Sequence, residues 1–178
     1  MEIPPDFNIP WCRSILNSNI SNLVNAREAL FDPDNPISNS ILRESLYTSS
    51  GIRAHLSFQR PTSEADAIRP LEQCYLLSLG SGVDGKSGRA HGGFNSLILN
   101  HISGLTACEA LGSLSLATAT MTVDYKAPID TPGIIFARGW AVEKEGRKLW
   151  VRARIEDAEG RLLARAKALF IEQKPVKL

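Results

Sequence analysis

The chain has 178 residues, a formal net charge of +1 and 43% hydrophobic residues. That length suits one domain with a sizeable core, and the near-neutral balance excludes a broad electrostatic case for nucleic acid. Cys12, Cys74 and Cys108 lack paired metal-ligand spacing, and their odd number argues against a disulfide framework, so no metal or cofactor is expected.

The opening MEIPPDFNIPWCR carries prolines and acids in place of an apolar signal core. No run free of polar residues is long enough to span a bilayer. The expectation is a soluble, cytoplasmic protein. Residues 1–50 are rich in Pro, Asn and Ser and hold two weak helical patterns: Trp11, Ile15, Ile20, Leu23, then Ile37, Ile41, Leu42, Leu46. Asp32-Pro33-Asp34-Asn35-Pro36 between them reads as a turn. This predicts an N-terminal helical extension (1–50) wrapped on a second unit (51–178).

Residues 51–59 alternate, with Ile52, Ala54, Leu56 and Phe58 on one side and Arg53, His55, Ser57 and Gln59 on the other. His55 is expected to face solvent. Residues 73–80 form a short apolar strand. Gly80 to Gly88 reads as a loop with the composition of a mobile lid, in which Asp84 and Lys86 are solvated; it resembles no phosphate-binding fingerprint. Phe94 to Leu111 is apolar nearly all round, the mark of a helix buried on most sides. Residues 114–127, 133–143, 148–157 and 161–172 alternate as strands, with Trp140 and Trp150 packing in the sheet. Glu145-Gly146 and Glu159-Gly160 suit hairpin turns. One buried helix followed by an antiparallel meander is an α+β pattern: a curved antiparallel sheet wrapped around a central helix.

His91-Gly92-Gly93 opens that helix. Backbone N–H groups at a helix start can hold a carbonyl oxygen as it gains negative charge. Asn100 and His101 lie further along the helix, and Thr118 lies on the following strand. Together they suggest acyl-transfer chemistry. Each also has a plainer reading. The glycines suit a tight turn. Asn100 suits a polar group satisfied by backbone. His101 lies about 100° round the helix from Asn100 and suits a hydrogen-bonded core or interface histidine. Thr118 belongs to the row Thr118, Thr120, Thr122, Asp124, opposite Ala117, Ala119, Met121 and Val123, and threonine suits any strand.

The stretches HGGFNSLILN, TATMTVDYKAPI and EGRKLWVRARIEDAEGRLLARAKALFI resemble the hotdog-fold thioesterases of the acyl-CoA thioesterase 4-like and phenylacetate-thioesterase-like type, over roughly residues 50–172. Ile9-Pro10-Trp11 is similar to fungal members, many of which belong to secondary-metabolite pathways. The resemblance implies an oxyanion N–H at Gly92 with Gly93 beside it, and His91 ordering the turn. It implies the general base or nucleophile at the position of Asn100, and a water-positioning hydroxyl at Thr118. It also implies a homodimer or dimer of dimers, because in this family the halves of a site come from opposite subunits; the Thr- and Val-rich strand 114–125 invites such pairing. The substrate implied is a thioester of coenzyme A or of phosphopantetheine on a carrier protein. Its phosphates need basic groups, for which Lys126, Arg147 and Lys148 are candidates, with Phe94 as a further substrate contact.

Asn100 departs from the family pattern, which has Asp or Glu there. An amide cannot take a proton from water at neutral pH. Three readings are open: an introduced Asp→Asn change that keeps shape and removes basicity, a natural enzyme using His101 as base, or a relative turned to another reaction. The functions considered are thioester hydrolysis, a polyketide dehydratase or cyclase in which a histidine moves the proton, and acyl binding without turnover.

Overall fold

The computed structural model describes residues 2–31 and 39–173. The expected turn at 32–36 and Ile37 lie outside the described residues.

The longest element is α3, Gly92–Leu111. His91 caps its start, its ring accepting from the Gly93 N–H. Gly112 ends it in the left-handed conformation at φ 65°, where a residue without a Cβ is least strained. Phe94, Ile98, Leu99, Ile102 and Ala107 are buried on its sheet side, and Leu97 and Leu105 are half-buried. The helix packs on β3 (Leu71–Leu79), β6 (Leu116–Tyr125), β7 (Gly133–Glu145), β8 (Lys148–Glu156) and β9 (Leu162–Glu172). Gly139 permits the close approach: a Cβ there would meet the Thr106 hydroxyl at 2.7 Å.

Seven antiparallel strands form one sheet in the order β1-β2-β3-β7-β8-β9-β6, with β1 at Ser21–Asn25 and β2 at Ile52–Pro61. An antiparallel sheet curved on one central helix is the expected α+β hotdog arrangement. Among the described residues no helix is long and apolar enough to cross a membrane. Trp140 is buried with its Nε1–H donated to Asp66 at 2.9 Å. The half-buried Trp150 lies under the Lys167 ammonium.

The N-terminal segment is less helical than its sequence predicts. Helix α1 (Pro10–Leu16) carries Trp11 and Ile15, but Leu23 lies on β1 and Ile20 just before it. The strand wins because β2 offers an unpaired edge with which β1 bonds. Residues 26–31 then form the short helix α2, and Ile41–Leu46 a π-helical turn.

This segment crosses the sheet. Phe7 and Cys12, both fully buried, pack on Ala54, Leu56, Phe58, Cys74, Leu76 and Phe136 on the face away from α3. Leu42 and Tyr47 join the core on the α3 face. Both faces of β2 and β3 are therefore covered. That overturns the solvent-facing reading of His55: its polar row points inward, and His55 is 1% exposed.

The Gly80–Gly88 stretch is also tied down. It forms a 3-10 turn (Ser81–Val83) and the hairpin of β4 (Asp84–Lys86) with β5 (Arg89–Ala90). Asp84 accepts from the Gly88 N–H at 3.0 Å and from the Thr131 hydroxyl, so it is held in the hairpin, while Lys86 is exposed.

Phe7 fastens the N-terminal segment to the sheet. Phe7→Ala should cost about 3–5 kcal/mol, as large-to-small core changes do, read as a lower urea midpoint at unchanged slope. A loss under about 1 kcal/mol would mean that this segment is not docked in solution.

Candidate active site

Two of the clefts along α3 hold expected site residues. The first, about 540 Å³, surrounds the start of the helix and is lined by His91, Gly92, Asn95, Tyr125, Lys126 and Arg89 among others. His91 Nδ1 accepts from the Gly93 N–H at 2.8 Å, so its ring proton sits on Nε2. The Gly93 N–H is thereby used in the cap, and Gly92 is the neighbouring N–H left to meet a ligand. The Tyr125 hydroxyl donates to the Gly92 carbonyl at 3.1 Å and receives the Ser96 hydroxyl proton at 2.5 Å. That bond closes the exposed end of β6 onto the helix start. Lys86 and Arg89 join Lys126 at this cleft, giving it three basic side chains beside the positive end of the helix dipole.

The second cleft, about 610 Å³, is lined by Asn100, His101 and Thr118 and by residues of β1, α2, β2 and β3. Thr118 Oγ1 donates to Asn100 Oδ1 at 3.0 Å. A β-bulge makes this possible. Thr118 pairs with Phe170 and Thr120 with Leu169, leaving Ala119 unpaired. The extra residue turns Thr118 out of the Thr120–Thr122 row and toward the helix, as bulges re-aim side chains. Met121 and Val123 then take the inward positions.

The two clefts are separate within one chain. Eight residues of helix divide Gly92 from Asn100, about 12 Å at 1.5 Å per residue. The structure thus brings Asn100 to Thr118 and His91 to Gly92 and Gly93, and does not bring the pairs together.

Three expected substrate contacts lie elsewhere. Phe94 is 8% exposed and packs in the core under α3, because the first turn points it at the sheet. Arg147 and Lys148 line neither cleft. The β7–β8 hairpin places them at its tip, where Arg147 donates to the Glu172 carbonyl at 2.8 Å. Asn95, Tyr125, Lys86 and Arg89, which the sequence reading places in no site, line the first cleft instead. Tyr125 stood in the Tyr125-Lys126-Ala127-Pro128-Ile129 motif. Asn95 carried a periodicity signal, one helical turn from His91; the basic pair depended on the fold of the β4–β5 hairpin.

Acyl-coenzyme A thioesterase THEM4 of Rattus norvegicus is 32% identical over 104 residues, 57% of this chain and 44% of that protein. The chain thus spans less than half the length of this curated relative. No family model matches. Among solved structures, zebrafish thioesterase superfamily member 2 superposes with a TM-score of 0.56 at 13% identity, covering 79% of this chain and 89% of that one. A hypothetical thioesterase protein of Streptococcus pneumoniae, solved with coenzyme A, gives 0.52 at 18% identity, covering 67% and 88%. The structural likenesses show the hotdog fold.

The buried histidines are poor proton acceptors. Burial lowers the pKa of His55 to about 3, with a further push from His101, and burial lowers that of His101 to about 4. His55 Nδ1 lies 2.8 Å from the Tyr47 hydroxyl, and His101 Nδ1 3.3 Å from the Asn39 amide nitrogen. The unfolded chain, with histidines near 6.5, binds protons that the folded chain refuses. Stability is therefore full above about pH 6.5 and lost as pH falls toward the folded values. By pH 5 the loss from His55 should reach about 2 kcal/mol. His55→Phe should shrink the difference in unfolding free energy between pH 7 and pH 5 by about that amount, measured by urea titration; an unchanged difference would show His55 to be charged or accessible.

Proposed function

We propose that the protein acts on acyl thioesters of coenzyme A or carrier-bound phosphopantetheine, as a homodimer in which each site joins His91 and Gly92 of one protomer to Asn100 and Thr118 of its partner. The observation that carries this reading is the Thr118–Asn100 hydrogen bond on an exposed edge strand. A free strand edge is a template for pairing with a second copy. Such pairing supplies a route across the 12 Å that divides the half-sites along one helix. The relative's thioesterase name and the coenzyme A in a structural neighbour support the substrate class.

The chemistry follows from the donors and acceptors. The thioester carbonyl oxygen would sit at the Gly92 N–H, where the helix dipole favours developing negative charge. Thr118 gives its one hydroxyl hydrogen to Asn100. It therefore meets a water through its lone pairs, as an acceptor. The water oxygen attacks the carbonyl carbon, the C–S bond breaks, and the proton lost by water ends on the thiolate sulfur. Asn100 can orient that water but cannot carry its proton. The chain as written should then bind substrate and turn it over slowly. Lys126, with Lys86 and Arg89 beside it, is suited to the phosphate-bearing end of the substrate.

His101 carries the second reading, proton transfer on a polyketide-type substrate, because it lines the same cleft as Asn100. Its burial-lowered pKa of about 4 makes it a weak base near neutrality.

Asn100→Asp should raise kcat for thiol release from acyl-CoA substrates by about 10²–10⁴-fold, the worth of a general base. Thr118→Val in that background should lower it again. An Asn100→Asp form no faster than the parent, together with a large loss on His101→Ala, would replace hydrolysis with histidine-mediated proton transfer. Lys126→Glu in the Asn100→Asp background should raise KM with little change in kcat. Light scattering at micromolar concentration should give a dimer or a multiple of it; a strict monomer would remove the shared site.

A further inference from the structure

The wall of the second cleft is polar where the fold calls for core. β2 and β3 turn His55, Ser57, Gln59, Gln73 and Tyr75 toward α3, and Ser57 lies opposite Tyr75 and Gln59 opposite Gln73 in the ladder. Gln59 is satisfied: it accepts from Asn22 at 2.7 Å and donates to Glu109 at 3.4 Å. Its neighbours are not. Tyr75, 2% exposed, and Gln73, 6% exposed, make no side-chain hydrogen bond among the described residues. His55 spends Nδ1 on Tyr47, and its Nε2 has no partner there either. Buried polar groups are hydrogen-bonded in the great majority of cases. Of the three, His55 Nε2 is the atom sealed from solvent as well as unpaired; with the Tyr75 hydroxyl and Gln73 amide that line the cleft beside it, it makes a wall of donors and acceptors suited to a polar ligand.

The cleft volume of about 610 Å³ falls within the roughly 300–1,000 Å³ of small-molecule sites. Leu30, Leu105 and Phe170 supply its apolar walls. Asn100 and Thr118 belong to the same cleft, so a thioester presented to them would send its acyl group along this wall. The position of the polar wall rests on the fold alone; that the ligand is an acyl thioester rests on the proposed function.

We infer that the second cleft selects acyl groups bearing a hydroxyl or keto oxygen, recognised by Tyr75 and Gln73 with His55 behind them, over plain alkyl chains of the same length. An oxygen on the chain meets these donors and acceptors. A plain chain leaves them unpaired, and a site built to hydrogen-bond a substrate oxygen discriminates strongly against the analogue lacking it.

Calorimetric binding to the chain as written tests this without requiring turnover. The probes are octanoyl-CoA and its derivatives carrying one hydroxyl or keto oxygen at carbon 3, 5 or 7. At least one derivative should bind about tenfold or more tightly than octanoyl-CoA. Tyr75→Phe, which keeps the ring, and Gln73→Leu should each reduce that preference several-fold, weakening the oxygenated derivative without weakening octanoyl-CoA. His55→Phe should act in the same direction. Equal affinity for all probes, or a preference that survives both Tyr75→Phe and Gln73→Leu, would overturn the inference. If no CoA ester binds, the thioester reading falls, and the free hydroxy- and oxo-octanoic acids decide separately. Their preferential, Tyr75-dependent binding over octanoic acid upholds the polar subsite, and its absence overturns it.

Discussion

The burial of α3 on the curved sheet is the contact from which the rest of the structure follows. Its apolar side chains leave it no stable alternative to being enclosed. Gly139 lets the helix axis come close enough for Ile98, Leu99 and Ile102 to lose all contact with water. That docking fixes one rigid line. At its start lie the His91 cap and the Gly92 N–H; two turns further on lies Asn100. The separation of the His91 cap from Asn100 is the consequence, and its length is that of the helix between them.

The second organising constraint is the double cover of β2 and β3. A half-covered antiparallel strand turns its polar row to solvent. Here the N-terminal segment takes the outer face with Phe7 and Cys12, extends the edge with β1, and returns to the inner face through Leu42 and Tyr47. The apolar row of β2 is satisfied by the segment, and its polar row is enclosed beside α3. The same detour supplies the far wall of the second cleft, so the segment that buries His55 also encloses the space beside Asn100 and Thr118. Charge is handled differently on the outer face. Glu72, 1% exposed, is met by Arg60 at 2.7 Å and Arg138 at 3.0 Å, and Glu64 and Glu156 complete the cluster on Arg138. Each member of that cluster has its partner, whereas in the cleft Tyr75 and Gln73 make no side-chain hydrogen bond among the described residues.

Much of this was legible in the residues. The strands from Gly133 to Glu172 follow a period-2 pattern, and the turns at Gly146 and Gly160 carry positive φ as their glycines allow. The central helix declared itself by length and by the His-Gly-Gly start. The helix cap formed by His91 and Gly93 was readable because it is local: a contact between residues two apart. Lys126 and Tyr125 stood in a contiguous motif and do line the first cleft.

The sequence by itself determined the elements and the local turn chemistry, since both rest on neighbours along the chain. Only the tertiary structure decided which way side chains face once strands are covered or bulged. The polar row of β2 reads as solvent-facing until a segment forty residues earlier is found to close the other side. Thr118 reads as one of a row of threonines until the bulge at Ala119 removes it from that row and gives its hydroxyl to Asn100. Ile20 and Leu23 read as helix until the open edge of β2 draws Ser21–Asn25 into the sheet. In each case the deciding partner is distant in sequence, and alternation along one strand carries no information about what packs on it.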